Sequence, residues 1–88
     1  MTADKLSKTL NERKERYGDF TDHARVAQQL KDVCRAAPSW KFMNPVQREG
    51  VDMIMHKIAR MVCGDPNYAD TPHDIAGYAR LIEERCEN

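Results

Sequence analysis

The sequence predicts an all-α fold: a compact array of about four helices in a single domain spanning residues 1–88. No run of residues shows the alternation of apolar and polar side chains that a half-buried strand requires. Apolar residues instead recur at three- and four-residue spacing, and Gly and Pro divide the chain into helix-length segments. Because 88 residues can bury only a modest core, we expect a homodimer.

The first two helices are predicted from their termination and capping signals. Helix one should run from about Ala3 to Tyr17 and end at Gly18, since glycine readily adopts the left-handed conformation of a C-terminal cap. Asp19 or Thr21 can cap helix two, which should end near Ala37-Pro38. Leu6, Leu10, Arg13 and Tyr17 fall on one stripe of helix one, and the apolar face of helix two is Ala27, Leu30, Val33 and Cys34.

The last two helices both begin with a proline-containing signal. Asn44-Pro45-Val46-Gln47 predicts an asparagine N-cap, proline in the first turn and a capping box, and this helix should run to about Cys63. Gly64-Asp65-Pro66-Asn67 then breaks the chain. Thr71-Pro72-His73-Asp74 repeats the start signal for a helix reaching about Glu84. We expect helices three and four to form the central antiparallel pair.

An apolar loop and a glycine within the last helix are not explained by these helix patterns. Trp40, Phe42 and Met43 are too apolar for an ordinary loop, so we expect them either to cover one end of the core or to form a dimer contact. Gly77 lies inside the last helix, where glycine costs about 1 kcal/mol relative to alanine. That cost predicts a crowded helix contact, against Ala59 or across a dimer.

Composition restricts the classes of function. Fourteen basic and fourteen acidic residues balance, so the positive charge typical of nucleic-acid binders is missing. No stretch approaches the roughly 20 apolar residues of a membrane span, and the N-terminus has no apolar signal region. We therefore expect a cytoplasmic protein, in the host cytoplasm if it is phage-encoded. Three widely spaced cysteines predict reduced thiols and not a metal or redox pair.

The third helix carries an ordered polar stripe. At about 100° per residue, its apolar side chains gather opposite Glu49, Asp52, His56 and Arg60. Successive members of the stripe are three or four residues apart, so neighbours can interact along the helix. One interpretation is a solvated face with helical charge pairs; the other is one half of a binding site. His56 is then either a surface histidine or an acid, base or ligand.

Asp74 is the strongest candidate for the second half of such a site. It projects beside the core-facing stripe of helix four, so it should be a half-buried carboxylate that needs a cation, a metal or backbone donors. Structural alternatives are a capping box with Thr71, or an ion pair with Lys57 or Arg60. Mg²⁺ prefers oxygen ligands, and bases beside it would neutralise phosphate charge. The predicted metal ligands are Glu49, Asp52, Asp70 and Asp74.

Several motifs together resemble a family of short, uncharacterised proteins from bacteriophages and prophages. They are Tyr17-Gly18-Asp19, His56-Lys57-Ile58-Ala59-Arg60, and Asp70 followed by Asp74-Ile75-Ala76-Gly77-Tyr78-Ala79. In that family a charged helix ending in Tyr-Gly-Asp precedes a Lys-Ile-Ala-Arg helix and an Asp-Ile-Ala-Gly-Tyr helix. The resemblance covers about Glu12 to Leu81. It implies phage or prophage origin and a helical domain, without an assigned activity.

A more distant similarity is to the MazG-like all-α nucleoside triphosphate pyrophosphohydrolases. Their pattern is a Glu-x-x-Glu pair on one helix and a Glu-x-x-Asp pair on the next. Glu49 and Asp52 match the first pair with Asp for Glu, and Asp74 matches the closing Asp. Thr71 stands where the family has its other Glu, unless Asp70 takes that place.

This similarity implies a reaction and a set of site residues. The reaction would be hydrolysis of a nucleoside triphosphate to the monophosphate and pyrophosphate, with Mg²⁺ bound by the carboxylates. The implied catalytic residues are Asp52, Lys57, Arg60 and Asp74. A second form of this hypothesis is a relative that binds a nucleotide but has lost catalysis. The alternative from another class is a non-enzymatic phage accessory protein that binds a host or phage protein.

Overall fold

Four α-helices make up the part of the chain that the structure describes, as predicted, and a short 3₁₀ turn lies where the sequence predicted a loop. The structure is a computed structural model that describes residues 2–86, and this part of the chain contains no strand. The chain order is α1 (Thr2–Tyr17), α2 (Phe20–Arg35), the 3₁₀ turn (Trp40–Phe42), α3 (Pro45–Cys63) and α4 (Asp70–Glu83). No helix of the described residues is both long and apolar enough to cross a membrane.

Local capping signals place three of the helix ends where the sequence predicts them. Gly18 has a φ of +84° and donates its backbone N–H to the Lys14 carbonyl at 2.8 Å, which ends α1. The Asp19 carboxylate accepts the Thr21 N–H at 2.9 Å and caps α2. At the start of α3, Asn44 and Gln47 form the complete capping box.

The predicted start of the last helix is wrong by one residue, and its cap is absent. Helix α4 begins at Asp70, and its N-cap Ala69 has no side chain that could accept a hydrogen bond. The backbone turns before Thr71, because the Thr71 N–H already donates to the Tyr68 carbonyl at 3.1 Å. Thr71 is only 4% exposed, so it packs inside the fold and does not form the predicted capping box with Asp74.

Helix α3 is the central element of the fold. It packs most extensively against α4, as predicted, then against α2, and least against α1. Helix α4 packs tightly against Gly50 of α3, where a Cβ atom would meet Ile82 Cγ1 at 2.5 Å. Among residues 2–86 the crowded contact predicted at Gly77 is absent, since a Cβ atom there would have no neighbour within 4 Å. The glycine that allows close helix packing is therefore Gly50.

The chain buries few apolar side chains. Among the described residues only Ala27 and Ala59 are buried apolar residues, and no large side chain is fully buried. Leu6 and Leu10, on the predicted core stripe of α1, are 58% and 57% exposed, because α1 contacts the other helices only weakly. The fold is accordingly elongated, measuring 52 × 26 × 24 Å. The other exposed large apolar side chains are Phe20, Val33, Phe42, Val46, Val62 and Leu81.

Three further apolar residues also lie largely in solvent. Val33 and Val62, near the C-terminal ends of α2 and α3, are 73% and 67% exposed. Phe42 is 79% exposed in the 3₁₀ turn, so it does not cover the core, whereas Trp40 and Met43 are partly buried. The alternative of a dimer contact for Phe42 stays a prediction.

Candidate functional site

The polar stripe of α3 faces α2 and the end of α1. Asp52 accepts a hydrogen bond from the Arg35 guanidinium of α2 at 3.4 Å, and its side chain is 21% exposed. The His56 ring meets the His23 ring edge to face, with centroids 4.7 Å apart. The interpretation of this stripe as a solvated ladder is therefore wrong for these two residues, although Glu49 is exposed.

Arg60 continues the same stripe toward α1. Its guanidinium carbon lies 4.2 Å from the centroid of the Tyr17 ring, a close cation–π contact. Its Nε atom is buried and finds no hydrogen-bond acceptor among the described residues. Arg60 is thus fixed by an aromatic face, and its Nε donor is both unpaired among the described residues and closed to solvent.

Lys57 lies on the α4 side of α3 and pairs with Asp74. The Lys57 Nζ and an Asp74 carboxylate oxygen are 3.0 Å apart, with the two side chains 13% and 43% exposed. This is one of the two ion pairs that the sequence left open; Arg60, the other candidate partner, turns to Tyr17 instead. Asp70 accepts the Tyr68 hydroxyl hydrogen at 3.0 Å.

The structure does not bring the four predicted metal ligands together. Asp52 is directed to α2 and Asp74 to Lys57, because positions 52 and 57 differ by about 140° around α3. Within residues 2–86, no group of three or more His, Cys, Asp or Glu side chains lies close enough to hold a metal ion. The predicted magnesium site therefore has no preassembled set of ligands in the described chain.

A different cleft combines basic, aromatic and imidazole groups. It lies between the C-terminal half of α1, the start of α2 and one face of α3, with a volume of about 560 Å³. It lies at the Gly18 turn, where α1 ends and the chain continues into α2. We call it the α1–α2 cleft. Its lining includes Leu10, Arg13, Lys14, Tyr17, Phe20, His23, His56 and Arg60.

The imidazoles of this cleft favour the neutral form. Burial, and then the charge of Arg60, lowers the pKa of His56 from 6.5 to about 4. Burial also lowers the pKa of His23. A hydrogen bond, in which His23 Nε2 donates to the His56 carbonyl at 3.4 Å, opposes this effect by raising the pKa. The positive charge of the cleft comes from Arg13, Lys14 and Arg60. Lys14 also forms an ion pair with Asp19, with Nζ and a carboxylate oxygen 3.8 Å apart.

The lowered pKa of His56 predicts that the fold loses stability in acid. Because the pKa of His56 is about 4 when folded and 6.5 when unfolded, the unfolded chain binds more protons between these values. Stability should therefore fall as pH is lowered from 6.5 toward 4, by about 2 kcal/mol after allowance for the partial exposure of the ring. Urea unfolding at pH 7 and 4.5 measures this. His56→Gln should remove most of the pH dependence, and an unchanged profile would contradict the assignment.

Neither His23 nor Tyr17 was predicted as a site residue from the sequence. A signal for His23 was available: positions 23, 27, 30 and 34 follow the spacing of one helix face, and Ala27 is buried on it. The burial of His23, at 7% exposure, follows from that register. No comparable signal existed for Tyr17, because its contact with Arg60 joins residues that are 43 positions apart.

Together the fold and the cleft define a small all-α protein with an open, basic and aromatic cleft between its first two helices and its central one. The chain belongs to a family described as a domain of unknown function, DUF6378, whose pattern matches residues 2–86. No curated protein and no solved structure shows significant similarity to it.

Proposed function

We propose that this protein binds a nucleotide, or a similar phosphate ester with an aromatic group, in the α1–α2 cleft. The observation that carries the proposal is the convergence of Arg13 and Arg60 with two aromatic rings and two neutral imidazoles around one opening. Guanidinium groups are suited to phosphate because they donate paired hydrogen bonds and keep their charge. Arg60 lines the cleft and keeps its charge there, with its position fixed against the Tyr17 ring.

The aromatic side of the cleft would bind the base. Phe20 is 70% exposed at the first position of α2, and its ring approaches His23 with centroids 6.0 Å apart. An exposed ring beside basic groups offers a stacking surface that accepts any nucleobase. Tyr17 is less available, because Arg60 covers one face of its ring and Tyr68 meets it edge to face. Phe20 is therefore the proposed base platform and Arg60 the proposed phosphate ligand.

Hydrolysis is the less supported part of the nucleotide hypothesis. Asp52 and Asp74 are both engaged by bases, with Arg35 and Lys57 respectively, and both would have to change partners to share a Mg²⁺ ion. The proposal is consequently binding without preassembled metal catalysis. Incubation with Mg²⁺ or Mn²⁺ and a panel of nucleoside triphosphates would detect pyrophosphate release. Turnover that disappears in Asp52→Ala and Asp74→Ala would replace this proposal by the hydrolase.

The binding proposal predicts selective losses of affinity. Calorimetric titration with ATP, AMP and pyrophosphate should show binding that weakens about tenfold or more in Arg60→Gln, which removes the phosphate donor. Phe20→Ala should weaken ATP and AMP but spare pyrophosphate, because stacking serves only the base. The matched control is Arg80→Gln, since Arg80 is 80% exposed on α4 and away from the cleft. Binding absent from the unmodified protein, or unaffected by both cleft variants, would overturn the proposal.

A second candidate function is protein binding by a homodimeric phage accessory protein. The observation that favours it is the small core: Ala27 and Ala59 are the only buried apolar residues described, whereas eight large apolar side chains are exposed. Exposed apolar surface of this kind commonly marks interfaces. We propose that part of it is covered by a second copy of the chain. The resemblance to short phage and prophage proteins supports a host or phage protein as a further partner.

A further inference from the structure

The His56 ring lies in the α1–α2 cleft with its nitrogens unused. It lines the cleft beside Arg60, and it meets the His23 ring edge to face with centroids 4.7 Å apart. Within residues 2–86 its ring nitrogens make no hydrogen bond, and unlike Arg60 Nε they remain open to solvent. Because a neutral imidazole has one N–H donor and one acceptor nitrogen, the ring can still interact with a ligand in the cleft.

The acids on the elements around His56 are already paired with bases. They are Asp19 in the cleft, Asp52 one turn before His56 on α3, and Asp74 on α4. Their partners are Lys14, Arg35 and Lys57, with N–O distances of 3.8, 3.4 and 3.0 Å. No carboxylate of the described chain is therefore directed to the His56 ring.

The charges that act on His56 are instead positive. Arg60 lies one turn later on α3, Lys31 acts from α2, and Arg13 lines the cleft from α1. Arg60 is held in place, since its guanidinium carbon packs 4.2 Å from the centroid of the Tyr17 ring. Burial and then this repulsion keep the imidazole neutral and lower the pKa of His56 to about 4.

A phosphate group in the cleft would reverse this balance. Arg60 is the proposed phosphate ligand, and His56 precedes it by one helical turn, so a phosphate on Arg60 lies within reach of the imidazole. An anion within about 4 to 6 Å favours the charged form of a base. The imidazolium has two N–H donors and forms a charge-assisted hydrogen bond to phosphate, which is stronger than the bond of the neutral ring.

We infer that His56 takes up a proton from solvent when a phosphate group binds in the α1–α2 cleft, and that it thereby becomes a second cationic ligand beside Arg60. The inference rests on the proposed function and names the residue that makes binding depend on pH. His23 is less suited to this role, because it is 7% exposed and its Nε2 already donates to the His56 carbonyl. Since proton and phosphate favour each other's binding, affinity should rise as pH falls.

NMR titration of the imidazole signals, with and without AMP, tests the inference on the unmodified protein. Without ligand the His56 ring should stay mostly neutral between about pH 7.5 and 5. With saturating AMP a protonation midpoint should appear within this range, about two pH units higher than in the free protein. His73 is the internal control, because it is exposed on α4 and does not line the cleft. A His56 ring unaffected by bound AMP, or proton uptake by His23 instead, would overturn the inference.

Calorimetric titration of AMP into His56→Gln gives an independent readout. Glutamine keeps a neutral polar group at this position but cannot take up a proton. Between about pH 7.5 and 5, the affinity of the unmodified protein should rise about fivefold or more relative to that of the variant. This ratio cancels the titration of the AMP phosphate itself. His73→Gln is the matched control and should follow the unmodified protein.

The outcomes separate this inference from the function on which it rests. Equal pH dependence of AMP binding in the unmodified protein and His56→Gln would overturn the role of His56 and leave nucleotide binding in place. Absence of AMP binding to the unmodified protein at every pH would overturn both.

Discussion

Replacing Gly18 by alanine is expected to lower the free energy of unfolding by about 3 kcal/mol. Two effects combine at this position. The φ of +84° is strained for any residue with a Cβ atom, and that Cβ would overlap the backbone carbonyl of Cys63. A backbone carbonyl at the end of α3 cannot move aside as a flexible side chain could. The substitution should therefore separate the end of α1 from the end of α3.

The same junction is crowded from the other side. A Cβ atom on Gly64 would overlap the Arg16 carbonyl, the group that accepts the Asp65 N–H at 2.8 Å. Denaturant unfolding of Gly18→Ala against the unmodified chain measures the cost. Gly77→Ala is the matched control and should be stabilising by about 0.5 to 1 kcal/mol when measured on the monomer. Equal effects of the two substitutions would contradict the packing at Gly18.

The second large expected effect is on stability: the two residues of the Lys57–Asp74 ion pair should differ in the cost of replacing them. Asp74→Asn should cost about 2 kcal/mol of stability, because it leaves the 13% exposed ammonium of Lys57 without its charge partner. The estimate is reduced from the full cost of a buried pair because Asp74 is 43% exposed and water can reach the site. Lys57→Met should change stability by less than about 1 kcal/mol, since it leaves a carboxylate that water can solvate.

Thermal or urea unfolding of both variants measures the asymmetry. Asp52→Asn is the matched control, because its partner Arg35 has a 45% exposed side chain that stays solvated when the carboxylate is lost. That control should cost less than about 1 kcal/mol. Similar costs for Asp74→Asn and Lys57→Met would contradict a structural pair. Full stability of Asp74→Asn, combined with lost turnover, would instead favour a catalytic carboxylate.

Helix ends were predictable where their signals are local. The Gly18 C-cap, the Asp19 N-cap and the Asn44–Gln47 capping box are each completed by residues within four positions of one another. The start of α4 was mispredicted because its deciding contact is not local. Thr71 has the sequence features of a cap, but its burial in the fold removes it from that role.

The candidate site was predictable only in part. Half-burial of Asp74, and Lys57 as one of its two candidate partners, followed from helical spacing within α3 and α4. The direction of the α3 polar stripe did not follow, because helical periodicity defines a face without stating what covers it. A stripe carrying Asp52, His56 and Arg60 looks solvated in isolation. It is covered because α2 and α1 present Arg35, His23 and Tyr17 to it.

The sequence by itself determined the helices of this protein, because hydrophobic periodicity, capping residues and glycine conformations act over a few neighbouring positions. It also predicted that a chain of 88 residues would bury only a modest core. Only the tertiary structure decided which face of α3 meets which helix, and hence that Arg60 joins the α1–α2 cleft while Asp52 and Asp74 are kept apart. These contacts join residues distant in the chain, and their pairing depends on the packing of whole helices.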